Sequence, residues 1–358
     1  MTLGRWLQVW LASRVSLRPA TRRSYTEHMW PLLPHLGHIT LADLRPADIQ
    51  AMFTTISRRH AALGRPLSPA TLARIHATLR AALNGAIRDR LIADNPARYI
   101  ELPPARRPRA VVWTPERIAE FERTGVRPAV AVWTAAQTAH FLHASRSHRL
   151  YAAFHLIALR GLRRGEAAGL RWCDIDLGGG IAMICQQLQR LGGQVLQCPP
   201  KTGSSSRAIA LDHTTVTALR RHRSAQQAEL TRLGHPSQRW VFTNRYGGPV
   251  NPDHLTRTLT ELITAAGLPP IRLHDLRHGA ASLALQAGAD LKVIQDQLGH
   301  SSIVLTADTY ISVVPEVAHK AAEDVAQLIL KAGRCAPGAR SPRRPAHPRT
   351  RRTRRTAN

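Results

Sequence analysis

Six residues between positions 163 and 310 of the chain combine side chains that could act together on a phosphate diester. A guanidinium can bind two phosphate oxygens at once, an imidazole or ammonium group can bind phosphate or transfer a proton, and a phenol can act as a nucleophile. No one of the six is informative alone, but their order and spacing predict one site. They are Arg163, Lys201, His274, Arg277, His300 and Tyr310.

The carboxylates of the same region are scattered along the chain, with only Asp174 and Asp176 close together. Many enzymes that cut phosphodiesters hold magnesium between clustered carboxylates. We therefore expect no metal and no other cofactor, with arginine supplying the positive charge instead. The acidic residues concerned are Glu166, Asp174, Asp176, Asp275, Asp290 and Asp296.

Arg163 follows Gly161 at the end of an apolar helical run, where an arginine has no packing reason to be. Arg164 competes with it for the same role. Glu166 lies on the same helical face as Arg163, three residues on. From spacing alone, Glu166 either orients Arg163 or forms a simple surface ion pair with it.

His274 and Arg277 are also three residues apart, near the start of a helical pattern where free N–H groups favour an anion. Further along, Asp290 is a predicted N-cap and Gly299 a predicted helix stop. This pattern predicts that His300 stands on a loop and is not packed in a core.

These segments resemble the tyrosine recombinases, the phage integrase family. The resemblance rests on Gly161–Glu166, His274–His278 and Leu298–Ser302, followed by Tyr310. It covers residues 150 to 331 and, more weakly, residues 1 to 103. It implies an N-terminal helical core-binding domain and a C-terminal catalytic domain that clamp duplex DNA from opposite faces.

The resemblance also implies the role of each residue. Arg163, His274, Arg277 and His300 would hold the scissile phosphate, and Tyr310 would attack it to form a 3′-phosphotyrosyl bond. Because the arginine of the family stands two residues before a Gly-Glu pair, Arg163 is favoured and Arg164 becomes a surface residue.

Lys201, in the segment Pro200–Gly203, matches the hairpin lysine that is thought to protonate the leaving oxygen in this family. It is the only lysine in the first 291 residues of an arginine-rich chain. An ammonium group gives up a proton more readily than a guanidinium, so a retained lysine is consistent with acid catalysis. Chance retention of the lysine is the alternative.

The net charge of +27 is the strongest signal in the composition of this 358-residue chain. It points to a polyanion, with DNA or RNA as the default partner. No apolar run approaches the roughly 18 residues of a membrane span, so we expect no membrane association and a cytoplasmic, nucleoid-associated protein. The cysteine spacing supports neither a zinc site nor a disulfide framework. The cysteines are Cys173, Cys185, Cys198 and Cys335.

Residues 1–103 are predicted to be helical, most clearly over Pro69–Leu91 with Ser68 as N-cap. Three arginines lie off the apolar face of this helix, and either a solvated face or a DNA-facing surface explains them. They are Arg74, Arg80 and Arg88.

Residues 104–149 are predicted to form a linker that carries a short repeat, Val-Trp-Thr with a later Phe, over positions 112–141. In each copy the threonine is a predicted N-cap of a short helix. The catalytic domain is predicted over 150–331, mainly α with a small antiparallel β-sheet. Its strand-like runs are 181–188, 194–198 and 207–211, with Lys201 at a hairpin. Residues 332–358 carry nine arginines and no acid, and form a predicted basic disordered tail.

The expected activity is site-specific recombination that integrates or excises a mobile element, with double-stranded DNA attachment sites as substrates. A homotetramer on two DNA sites is expected, with a possible excisionase or host architectural protein. The core-binding pattern begins almost at Met1, which leaves arm-site binding open. A type IB topoisomerase and a DNA-binding regulator without catalysis are the alternatives. The segment after Tyr310 is predicted to dock on a neighbouring protomer, through Val317, Ala318, Val325, Leu328 and Ile329.

Overall fold

The computed structural model describes residues 1–105, 108–200, 206–234, 239–299, 323 and 325–327. Lys201, His300 and Tyr310 lie outside the described residues, as does the predicted tail. The mainly α fold with small antiparallel sheets is confirmed. Among the described residues, no helix is long and apolar enough to cross a membrane.

Five helices form the N-terminal region and enclose one apolar core. One contact joins the first and fifth helices, where the Trp6 indole donates a hydrogen bond of 2.9 Å to the Ala82 carbonyl. Gly85 permits this approach, because a Cβ there would stand 2.8 Å from the Trp10 ring. The helices are α1 (Leu3–Ser13), α2 (Pro19–Met29), α3 (Leu33–Leu36), α4 (Pro46–Ala62) and α5 (Pro69–Arg88).

Helix α5 begins where the sequence predicts. The Ser68 hydroxyl accepts a hydrogen bond of 3.2 Å from the Thr71 amide, which satisfies one of the free amides of the first turn. The helix ends at Arg88, three residues before the predicted Leu91. Arg90 adopts a left-handed backbone (φ 58°), so the chain leaves the helical path before Leu91.

The repeated segment folds as two strand-helix units. Each unit begins its helix with a threonine N-cap, Thr114 in the first and Thr134 in the second, as predicted. The units are β1 (Val111–Val112) with α6 (Pro115–Thr124), and β2 (Ala131–Val132) with α7 (Ala135–Ala144).

The two short strands pair in parallel, with Val111 opposite Ala131. Trp113 and Trp133 are buried in the same apolar core as the following helices. Residues 111–144 therefore pack on the catalytic part and do not form a free linker, while the domain boundaries themselves stay predictions.

The remaining elements form the catalytic part around that second core. Its helices are α8 (Tyr151–Arg160), α9 (Arg164–Ala168), α10 (His213–Arg232), α11 (Pro252–Ala265), α12 (Leu273–Gln286) and α13 (Leu291–Leu298). Its strands are β3 (Ile175–Asp176), β4 (Ile181–Ile184), β5 (Gln187–Leu191), β6 (Gln194–Cys198) and β7 (Arg207–Ala210).

The antiparallel structure is divided into two sheets, β3-β4-β7 and β5-β6, where one was expected. The predicted strand 181–188 is interrupted at residues 185–186. Ile184 pairs with Arg207 and Gln187 pairs with Cys198, so two residues of the sequence separate β4 from β5, whereas eight separate β6 from β7. Lys201 belongs to that longer connection, residues 199–206.

Candidate active site

Arg163 is held at a sharp turn between α8 and α9. Gly161 ends α8 in a left-handed conformation (φ 68°), and a Cβ there would stand 2.5 Å from the Leu298 side chain, so only glycine fits. Arg163 occupies the N-cap position of α9. Its amide donates to Glu166 Oε2 at 2.9 Å, and its Nη1 donates to Glu166 Oε1 at 2.6 Å.

The carboxylate of Glu166 is buried, with only 4% of the residue exposed, so the surface ion pair alternative does not apply. A second arginine also reaches it. Arg207 donates to Glu166 Oε1 at 3.2 Å and to Oε2 at 3.0 Å. Burial by itself would raise the pKa of Glu166, but the hydrogen bonds and charge of Arg207, with the charge and amide of Arg163, lower it to about 2. Glu166 is therefore ionised at any working pH.

Arg207 is the site residue that the sequence reasoning missed. A signal was present in the strand β7, where Arg207 and Ile209 both point inward and alternate with exposed alanines. A charged residue at an inward position needs a buried partner of opposite charge. The sequence does not say which acid that is.

Helix α12 begins with a second buried carboxylate. Asp275 is 1% exposed and accepts hydrogen bonds from the Arg272 amide at 3.0 Å and from Arg272 Nη2 at 2.7 Å. This capping arrangement fixes the first turn of α12, which carries His274 and Arg277. His274 and Arg277 therefore lie on a helix end that this capping holds in place.

Arg277 is itself buried, with 1% exposure. Its Nη1 donates to the Gly161 carbonyl at 2.6 Å and its Nη2 to the Leu298 carbonyl at 2.7 Å. The side chain thus joins the end of α8 to the end of α13 as well as belonging to the predicted phosphate site.

His274 has an exposed side chain, yet the protein around it displaces water that would hydrate an imidazolium. This desolvation is the main cause that lowers its pKa, and the charge of Arg277 lowers it further, with a smaller contribution from Arg163. The ring packs edge to face on His278, with 4.8 Å between centroids. Desolvation, followed by the neighbouring His274, lowers the pKa of His278 to about 4, so at neutral pH it supports His274 as a neutral ring.

The three arginines converge on the end of α13. Three consecutive carbonyls there each accept one charged N–H: Gln297 from Arg207 at 2.7 Å, Leu298 from Arg277 at 2.7 Å and Gly299 from Arg163 at 2.9 Å. Cations at a helix C-terminus also interact favourably with the helix dipole. Gly299 closes the helix in a left-handed conformation (φ 64°), as predicted, immediately before His300.

Arg164 turns away from this cluster. Its Nη1 pairs with Asp253 Oδ1 at 2.9 Å, and the side chain is 45% exposed. Of the two candidate arginines, Arg163 therefore lies in the cluster and Arg164 lies outside it. Among the described residues, no group of three His, Cys, Asp or Glu side chains is arranged to hold a metal ion.

Two features of the N-terminal region bear on the site. Arg18, at the start of α2, donates from Nη2 to the Pro200 carbonyl at 2.9 Å, directly before Lys201. The three arginines of α5 are exposed: Arg74, Arg80 and Arg88. Their contact with DNA stays a prediction.

Comparison with known proteins identifies the family of the chain. The model of the phage integrase family matches residues 132–316. The tyrosine recombinase XerC-like protein of Caldanaerobacter subterraneus subsp. tengcongensis is 25% identical over 348 residues, which is 92% of this chain and 84% of that protein.

Solved structures share the fold. The integrase of transposon Tn1549, in complex with transposon right-end DNA, matches with a TM-score of 0.69 and 21% identity, over 91% of this chain and all of that one. A lambda integrase tetramer bound to a Holliday junction matches with a TM-score of 0.59 and 19% identity, over 87% of this chain and 77% of that one.

The chain belongs to the phage integrase family. It is a tyrosine recombinase, an enzyme of site-specific recombination that cleaves and rejoins DNA strands. The family assignment favours this activity over the topoisomerase and regulator alternatives.

Proposed function

We propose that the protein integrates and excises a mobile DNA element by recombining two double-stranded attachment sites, with Tyr310 as the nucleophile. The observation that carries the proposal is the convergence of Arg163, Arg207 and Arg277 on the carbonyls of residues 297–299. This convergence fixes the turn from which His300 and, ten residues on, Tyr310 follow.

In the proposed mechanism the scissile phosphate binds between Arg163, His274, Arg277 and His300. Positive donors aimed at the two non-bridging oxygens stabilise the charge that develops there during displacement. Glu166 holds the Arg163 guanidinium in one orientation, so little reorganisation is needed when the phosphate enters. The lowered pKa of His274 leaves its imidazole neutral at neutral pH, with an N–H donor for a phosphate oxygen.

Tyr310 gives its phenol proton to the free ring nitrogen of the neutral His274, its oxygen attacks phosphorus, and the bond from phosphorus to the 5′ oxygen breaks. Lys201 gives a proton to that oxygen, which leaves as a 5′ hydroxyl. The DNA strand stays attached through a 3′-phosphotyrosyl bond. A 5′ hydroxyl from the partner duplex attacks this bond, rejoins the strand and releases Tyr310.

The proposed assembly is a homotetramer acting on two DNA sites. The lambda integrase of the same fold is a tetramer on a Holliday junction, which supports this arrangement for the present chain. An excisionase or a host architectural protein would set the direction of the reaction, and action on DNA implies association with the nucleoid.

Covalent capture on a nicked suicide substrate tests the mechanism. In EDTA the wild-type protein should form a protein–DNA adduct and Tyr310→Phe should form none. Tyr246→Phe is the matched control, because Tyr246 is an exposed tyrosine outside the cluster, and it should form the adduct normally. An adduct that survives Tyr310→Phe, or one that needs magnesium, contradicts the proposal.

A further inference from the structure

Arg207 is buried, although it lies on a short strand of a small sheet. The residue is 8% exposed and its guanidinium spans two elements, the Glu166 carboxylate on α9 and the Gln297 carbonyl on α13. Burying a charged pair has a large desolvation cost, so such a pair is weak evidence for stability alone. A role in placing other groups accounts better for its presence.

The groups that Arg207 touches stand on both sides of Arg163. Glu166 receives Nη1 of Arg163, and Gly299, two residues after Gln297, receives its Nη2. Arg207 therefore holds both acceptors that orient Arg163, one through a carboxylate and one through the end of α13. A lysine could not reproduce this, because one ammonium lacks the planar fork that reaches both acceptors.

We infer that Arg207 is a positioning residue for the phosphate-binding site, fixing Arg163 and the turn before His300 without contacting DNA. This inference rests on the proposed roles of Arg163 and His300. Without Arg207, the carboxylate of Glu166 would be held only by Arg163, the residue that Glu166 orients. An error of about 1 Å in such a site costs on the order of a hundredfold in rate.

Two variants test the inference in the full-length protein. Arg207→Lys keeps the charge and removes the fork. The double variant Arg207→Met with Glu166→Gln removes both charges, so no buried charge is left unpaired and the fold is preserved. Arg220→Lys is the matched control, because Arg220 is an exposed arginine that also donates to a carbonyl, that of Leu177 at 3.0 Å.

The measurements are the single-turnover cleavage rate at saturating DNA, the DNA affinity and the unfolding midpoint. In both variants we expect cleavage per folded molecule to fall about a hundredfold while DNA affinity stays near the wild-type value, and the unfolding midpoint shows how much of each sample is folded. The loss should be equal on a substrate with a 5′-bridging sulfur, whose leaving group needs no proton. A purely structural residue would move the midpoint and leave the cleavage rate per folded molecule unchanged.

Two results would overturn the inference. Wild-type cleavage by the double variant would mean that the pair only fills the core. Rescue by the sulfur substrate would mean that Arg207 acts through the connection that carries Lys201, since Arg207 directly follows residues 199–206. Failure of the proposed function has a different signature, an adduct in Tyr310→Phe, and so the two failures can be told apart.

Discussion

The N-terminal and catalytic regions of this protein bury different kinds of side chain. The N-terminal core is apolar and its buried polar residues, Thr78 and Asn95, are neutral. Four charged side chains are buried among the described residues, and all lie in the catalytic region: Glu166, Arg207, Asp275 and Arg277. Since buried charge is costly, its confinement to the catalytic part indicates that this region, and not the N-terminal one, is built to hold charged groups in place.

The largest effect on stability is expected from Glu166→Gln. The folded-state pKa of Glu166 is about 2 against an ordinary value of 4.5, so the ionised carboxylate contributes about 3 kcal/mol. Because the folded pKa is the lower one, this contribution is complete above about pH 5 and is lost as the pH falls from 4.5 towards 2.

Denaturant unfolding at several pH values measures this effect. The difference in unfolding free energy between wild type and Glu166→Gln should be large at pH 7 and shrink towards pH 3. Glu27→Gln is the control from the N-terminal region, where the pair with Arg23 is exposed and is expected to contribute less than about 1 kcal/mol. If the two substitutions had equal effects, the proposed difference between the N-terminal and catalytic regions would be wrong.

Lys201→Ala is expected to lower the cleavage rate about a hundredfold, the size of a lost general acid, with little change in DNA affinity. A 5′-bridging sulfur should restore the rate, because a thiolate leaves without a proton. Lys292→Ala serves as the control, since Lys292 forms an exposed pair with Asp296. If sulfur gives no rescue, Lys201 binds phosphate instead.

The exposed arginines of α5 should affect DNA affinity and not the cleavage rate, unlike Lys201. Replacing Arg74, Arg80 and Arg88 together by glutamine should weaken DNA binding and reduce the slope of log K against log salt by about 0.9 for each phosphate that is no longer neutralised. Cleavage at saturating DNA should be unchanged. Arg123→Gln, an exposed arginine of α6, is the control. If the salt slope of the triple variant is unchanged, these arginines form a solvated face and do not contact DNA.

The smallest effect is expected from Ser68→Ala in the N-terminal region. Loss of the N-cap hydrogen bond to Thr71 should lower the unfolding free energy by about 1 kcal/mol. Ser68→Thr should keep most of that stability. Neither variant should alter the pH dependence of unfolding, because no ionisable group is involved, and a pH-dependent loss would show that the cap does more than begin a helix.

Local features of both regions could be predicted from the sequence. Ser68, Thr114, Thr134 and Asp290 all act as N-caps where short-range patterns place them, and Gly299 ends its helix. These features depend on contacts within a few residues, which a sequence pattern contains. The interruption between β4 and β5 could not be read in this way, since it depends on which strand each half pairs with.

The sequence by itself determined the family, the mainly helical class and the identity of the predicted catalytic set. Only the tertiary structure decided that Arg207 and Arg163 both bind the carboxylate of Glu166, although Arg207 is 41 residues from Glu166 in the sequence. The same holds for the hydrogen bond from Arg163 to the carbonyl of Gly299, 136 residues away. The physical reason is that a buried charge must find a partner in space. With many arginines in the chain, separation along the sequence does not tell which of them folding brings to that carboxylate.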